Sequence, residues 1–399
     1  MKHLILFLLF SSVSANELRT NVITRNKNFK AKEKEVTLSG LLDNEYFESR
    51  DFKIVLGKND RPISTKEKNK KILLKAATVF YHLHKAKKYF IEELNSPYVK
   101  EEKQITVRIE ISNVFNELGH FSNDNLDPQF NNAVSVPAGK GYLPANIKPW
   151  GKEIWFRPMK KIKLKDLTNK PGLGSFKKIF QNFRRKTHTM NLGRFLTETF
   201  NRKVYEGLDT SGSIQQFIRT AGSSILLELM IVNANWIEWL FLRKTYWLDT
   251  ALVPEIIYHE YAHQALSDSL ELHHSTAVNE GMADYFAAKI AKSPLLAKKI
   301  KKHNTFDGKD AKNTKKYRLE FETNGLANTD FVLGLLWSVD KVIGKDAPKI
   351  IYELRKDINS NSNIRENLIS SLIMSCRNLC SDFQITKYKL LRLFHLKGI

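Results

Sequence analysis

Cysteine is nearly missing from this chain. Cys376 and Cys380 are the only two in 399 residues, so at most one disulfide can form and no disulfide framework carries the fold. Within a regular helix, i and i+4 side chains stand too far apart for good disulfide geometry. The pair therefore closes only if a turn separates the two residues, and otherwise they are buried thiols. Long apolar runs are also missing. Ser223 to Leu242 comes closest, but Glu228, Asn233, Asn235 and Glu238 interrupt it, so no internal transmembrane segment is expected. Acidic residues are scarce, with 42 Asp and Glu against 64 Lys and Arg, a formal charge of +22. Such a surface favours acidic partners, among them an acidic envelope surface. The lysines are scattered without aromatic interleaving, so no specific nucleic-acid partner is expected. No internal repeat is present, which argues against a solenoid.

What remains is ordinary for a globular chain at 42% hydrophobic. Its first residues are distinctive. Met1-Lys2-His3 is a positive start, Leu4 to Phe10 is an apolar run too short to span a bilayer, and Ser11 to Ala15 ends in small residues. Residues 1–15 read as a signal peptide cleaved after Ala15, which implies a secreted or periplasmic protein, expected as a monomer.

Residues 16–71 are polar and Lys-rich and read as an N-terminal extension, a short pro-segment or a decorating strand pair; Phe52 to Leu56 is strand-like. Ile72 to Leu94 carries apolar residues at helical spacing, and Ile105 to Ile111 alternates as a half-buried strand does. Glu153 to Phe156 is a second strand. A basic insertion follows near 160–222, and Ile225 to Val232 is a mostly apolar strand. From Pro254 the pattern is helical: to about Ser267, then Ala277–Ala291, Phe331–Ile343, Ala347–Leu354, Ile364–Cys376 and Ile385–Phe394. Mixed strand and helix followed by helix alone implies an α+β class. The expected build is an α+β lobe over 72–268, an all-helical lobe over 269–399, and a cleft between them.

The chemistry concentrates in His259-Glu260-Tyr261-Ala262-His263. On a helix, residues i and i+4 share a face, so both imidazoles can reach one metal. Glu280 follows His263 by 17 residues, on the next helical segment, and offers a third ligand. Three protein ligands and an open position describe a catalytic Zn²⁺ site rather than a closed structural one. Glu260 is then the general base that takes a proton from water and delivers it to a departing amine. Asp284, four residues after Glu280, can accept an N–H from His259 and fix its tautomer. The substrate would be a protein or peptide, and the activity a zinc metalloendopeptidase. The competing reading is a basic envelope-binding protein with a degenerate or non-peptidase zinc site.

His259-Glu260-x-x-His263 with Asn279-Glu280-x-x-x-Asp284 resembles the gluzincin metallopeptidases, the thermolysin-like group. That resemblance implies a zincin-like fold, with a twisted mixed sheet and the active-site helix in the first lobe and Glu280 in the second. Asn233-Ala234-Asn235-Trp236 is similar to the group's N-A-F-W segment. It implies that Asn233 and the Ala234 carbonyl bind the substrate backbone as an added strand. Leu390 to Ile399 resembles the end of such second lobes. One feature departs from the pattern: where related sequences carry a His before a helix ending in Leu-Trp, this chain has Thr329-Asp330-Phe331 before Leu336-Trp337. The residue that would stabilise an oxyanion is unassigned, with Tyr317, His303, His273 and His274 as candidates.

Overall fold

The computed structural model describes residues 16–26, 30–57, 59–111, 133–136, 152–158, 160–161, 246–247, 249–267, 276–296, 309–312, 329–358 and 364–398. The signal segment 1–15, the apolar stretch 225–232 and nearly all of the basic insertion lie outside them.

The class is mixed α and β. The elements begin with strands β1 (Asn16–Arg25), β2 (Ala31–Leu41) and β3 (Phe52–Leu56), helices α1 (Lys70–Glu92) and α2 (Pro97–Lys100), and β4 (Ile105–Ile109). Short strands β5 (Val134–Val136), β6 (Glu153–Trp155), β7 (Lys160–Lys161) and β8 (Tyr246–Trp247) follow. Next come α3 (Pro254–Leu266), α4 (Thr276–Ala291) and a two-residue pair, β9 (Leu295–Leu296) with β10 (Lys309–Asp310). The chain ends in α5 (Thr329–Ile343), α6 (Ala347–Glu353), α7 (Ile364–Leu379) and α8 (Phe383–Lys397).

Four strands form a mixed sheet in the order β3-β4-β6-β5, with β5 antiparallel and the other pairings parallel. Parallel neighbours need a long crossover, and α1 supplies it between β3 and β4. Asn69 starts α1 by accepting the N–H groups of Lys71 and Ile72. Ala76, Val79, Phe80, Leu83 and Phe90 then make one buried stripe at helical spacing. The alternation in β4 predicts a half-buried strand, but Arg108 is buried. Its guanidinium makes two hydrogen bonds, of 2.9 and 3.0 Å, to the Glu153 carboxylate on β6, so the polar position turns inward.

Residues 16–71 are more than an appendage. β1 and β2 do form the antiparallel hairpin expected of a decorating pair, but β3 pairs along its length with β4. A boundary at residue 72 therefore cuts through the central sheet. The hairpin is pinned as well. The Ile23 N–H donates to Thr78 Oγ1 on α1, and Arg25 makes a forked pair with Glu255 on α3.

Pro254 opens α3, where its missing N–H is not needed. Along this helix every residue but His259 is buried. Phe90 joins the sheet side to the helical side: its ring lies 5.9 Å from Tyr261 on α3, 5.2 Å from Phe286 on α4 and 5.7 Å from Tyr352 on α6. The apolar core is one body from Val22 to Phe394. The Cys376–Cys380 disulfide closes at a Cα–Cα distance of 4.9 Å without the separating turn expected of it: residues 376–379 are helical, and the Cys380 N–H still donates to the Cys376 carbonyl at 2.7 Å. Among the described residues, no helix is long and apolar enough to cross a membrane.

Candidate metal centre

Two helices build the site. α3 supplies His259, Glu260 and His263, and α4 supplies Asn279, Glu280 and Asp284. The imidazole Nε2 atoms of His259 and His263 converge to 3.0 Å. Glu280 faces both, with Oε2 at 3.3 Å from His259 Nε2 and Oε1 at 3.4 Å from His263 Nε2. The remaining ring nitrogens are already engaged. His259 Nδ1–H donates to Asp284 Oδ1 at 2.8 Å, and His263 Nδ1–H donates to Asn279 Oδ1 at 3.1 Å. Both Nε2 atoms are thereby directed at one point.

This donor set fits zinc. Metal–ligand bonds of about 2.0–2.1 Å in a tetrahedron place ligand atoms ~3.3 Å apart. The three separations here scatter around that value. His259, His263 and Glu280 form a cluster able to hold a metal, and it combines two imidazoles with one carboxylate.

The electrostatics explain why these groups tolerate one another. Burial works against a charged His259, yet the Asp284 and Glu280 carboxylates outweigh it and raise the imidazole to about 10 without metal. Burial likewise opposes an ionised Glu280, but the two imidazoles hold it well below the usual carboxylate range. Burial raises Glu260, and the neighbouring imidazoles only partly offset this, so its carboxyl lies above its ordinary value. A base shifted toward neutral pH is better matched to proton transfer than an ordinary glutamate.

Three contributors escaped the sequence. Lys309, on β10, forms an ion pair with Asp284 Oδ2, so both oxygens of that carboxylate are engaged. It sits in a Lys-rich run that no spacing rule connects to His259, His263 and Glu280. Asn279 was visible as part of the motif but had no role until its bond to His263 appeared. The Ser135 backbone on β5 favours the ionised form of Glu260, and Gln264 Nε2 ties α3 to the same strand by donating to Ser135 Oγ at 2.7 Å. β5 is at one edge of the described sheet, whereas the substrate-binding strand edge implied by the resemblance falls to Asn233 and Ala234. Those two residues, and Tyr317, His303, His273 and His274, lie outside the described residues.

No protein-family model matches this chain, and no curated protein matches it in sequence.

Proposed function

We propose that this chain is a zinc metallopeptidase of zincin-like build, secreted or periplasmic, acting on protein or peptide substrates. The observation that carries the reading is the convergence of both Nε2 atoms and the Glu280 carboxylate beside a buried Glu260. His259, His263 and Glu280 would hold Zn²⁺. A zinc ion there would supply Lewis acidity, polarising a carbonyl and acidifying water.

The protein's own groups do the rest. Asp284 and Asn279 hold the two imidazoles in the tautomer that presents Nε2. Glu260 holds and returns the proton at its carboxylate, as general base and then general acid. The Ser135 backbone on β5 favours the ionised form of that carboxylate. A peptide would be bound as an added strand, with Asn233 and Ala234 the residues the sequence nominates. The first lobe would carry the sheet and α3, and the second would carry α4 onward.

The test is metal content of the purified chain together with casein hydrolysis, with and without a chelator. About one zinc per chain and chelator-sensitive turnover are expected. Glu260→Gln should keep its zinc and lose roughly 10²–10⁴-fold in rate. Full activity in that variant would remove Glu260 as the base. Zinc with no turnover of any peptide would favour the second reading, an envelope-binding protein with a non-peptidase zinc site. The excess of basic over acidic residues favours that alternative.

A further inference from the structure

Seven large apolar side chains are exposed among the described residues, and six of them belong to α7 and α8. They are Met374 and Leu379 on α7, and Ile385, Tyr388, Leu391 and Leu396 on α8. Tyr388 is 69% exposed and Leu396 62%, values expected of charged surface residues rather than of tyrosine and leucine. The concentration is not an accident of fraying. Helix α8 is capped by Asp382 at its start and by the left-handed Gly398 at its end, and its other face buries Leu390 and Phe394. The two helices pack on each other, and the Cys376–Cys380 disulfide closes the corner between them.

The charge on α8 has one sign. Residues 383–397 contain Lys387, Lys389, Arg392 and Lys397 and no acid. At 100° per residue, Ile385, Leu396, Lys389 and Arg392 project from one sector of the helix, with Tyr388 beside them. Lys389 and Arg392 are exposed. Apolar tips interleaved with long basic side chains suit a boundary where the tips enter an apolar layer and the cations meet phosphate. A second copy of this chain fits poorly, because it would set one cationic face against another.

We propose that the α7–α8 hairpin is a docking face for an anionic lipid surface. Apolar burial and charge attraction act together in such binding, and both features are present on this one face. Docking would hold the molecule at a membrane without any spanning helix. It is independent of the metal-site reading, since none of these residues contributes to that centre.

The experiment is cosedimentation of the full chain with phosphatidylglycerol-containing vesicles and with pure phosphatidylcholine vesicles, at low and high salt. The anionic vesicles should carry down the protein, the neutral ones should carry at least tenfold less, and salt should weaken the binding. The triple variant Ile385→Ser, Tyr388→Ser, Leu396→Ser removes the apolar part. Lys389→Glu with Arg392→Glu reverses the charge and leaves the apolar residues in place. Each should lose at least tenfold in binding while keeping its circular dichroism spectrum and zinc content. Vesicle binding that neither variant reduces would overturn the proposal. So would no wild-type binding, or self-association abolished by the triple variant in the absence of lipid binding.

Discussion

Asp284 shows how one carboxylate can set the geometry of a candidate metal site it does not enter. One oxygen accepts the His259 Nδ1–H and the other is held by Lys309, so the side chain has no rotational freedom left to spend. Burial opposes its ionisation, but Lys309 and His259 keep it ionised, below its ordinary range. An ionised, fixed acceptor makes His259 a better ligand. Replacing Asp284 with Asn should therefore weaken zinc binding by about 10–100-fold, measured by competition with a chelator. Lys309→Met should act in the same direction by about tenfold, and Lys309→Arg should restore most of the loss. Unchanged affinity in Lys309→Met, with the fold intact, would show that the cation serves only packing.

At the scale of elements, the position of Glu280 depends on how closely α4 approaches α5. Gly281 is where they meet: a Cβ there would lie 2.5 Å from both Cβ and Cγ1 of Val332. Neither atom is the end of a flexible chain, so the helices would have to separate. Gly281→Ala should cost about 1–3 kcal/mol and lower the melting temperature. It should also weaken zinc binding, because Glu280 moves with the helix. Val332→Ala in the same chain should recover part of both losses. Independent, additive effects of the two substitutions would mean the contact does not position α4.

The same scale shows what could be read in advance. The helices from Pro254 onward were legible because each carries apolar residues at helical spacing between clear breaks, and each was found within a few residues of its expected bounds. The convergence of His259 and His263 on α3 was legible because i and i+4 are neighbours on any helix. Arg108 was not, because its burial depends on Glu153 on another strand, 45 residues away. Lys309 was hidden for the same reason, since it meets Asp284 only after β9 and β10 pair. The disulfide lay between these cases. Ideal helical spacing argues against the bridge, yet it closes across the last turn of α7, where the two Cα atoms draw in to 4.9 Å.

Across the whole molecule, His82, buried, and His84, half-buried, bear on behaviour in acid. His82 packs between hairpin and helix, bonded to Tyr258 Oη at 2.6 Å and to the Ile23 carbonyl at 2.8 Å. Burial pushes it down to about 3, and burial also pushes His84, beside Ser49, down to about 4. Both are neutral in the folded chain and titrate near 6.5 once unfolded. The unfolded chain therefore binds about two more protons near pH 5.5, and their stabilising effect is complete only above about pH 6.5. It is lost as pH falls from there toward 4 and then 3. Each fully displaced proton is worth about 1.4 kcal/mol per pH unit, so stability should fall by about 2 kcal/mol between pH 6 and pH 5. Urea unfolding at pH 7, 6 and 5 measures this directly, with chelator present so that zinc release does not contribute. A flat profile over that range would mean that these imidazoles are not held neutral, and that the hairpin does not seal the surface of α1 as its hydrogen bonds imply.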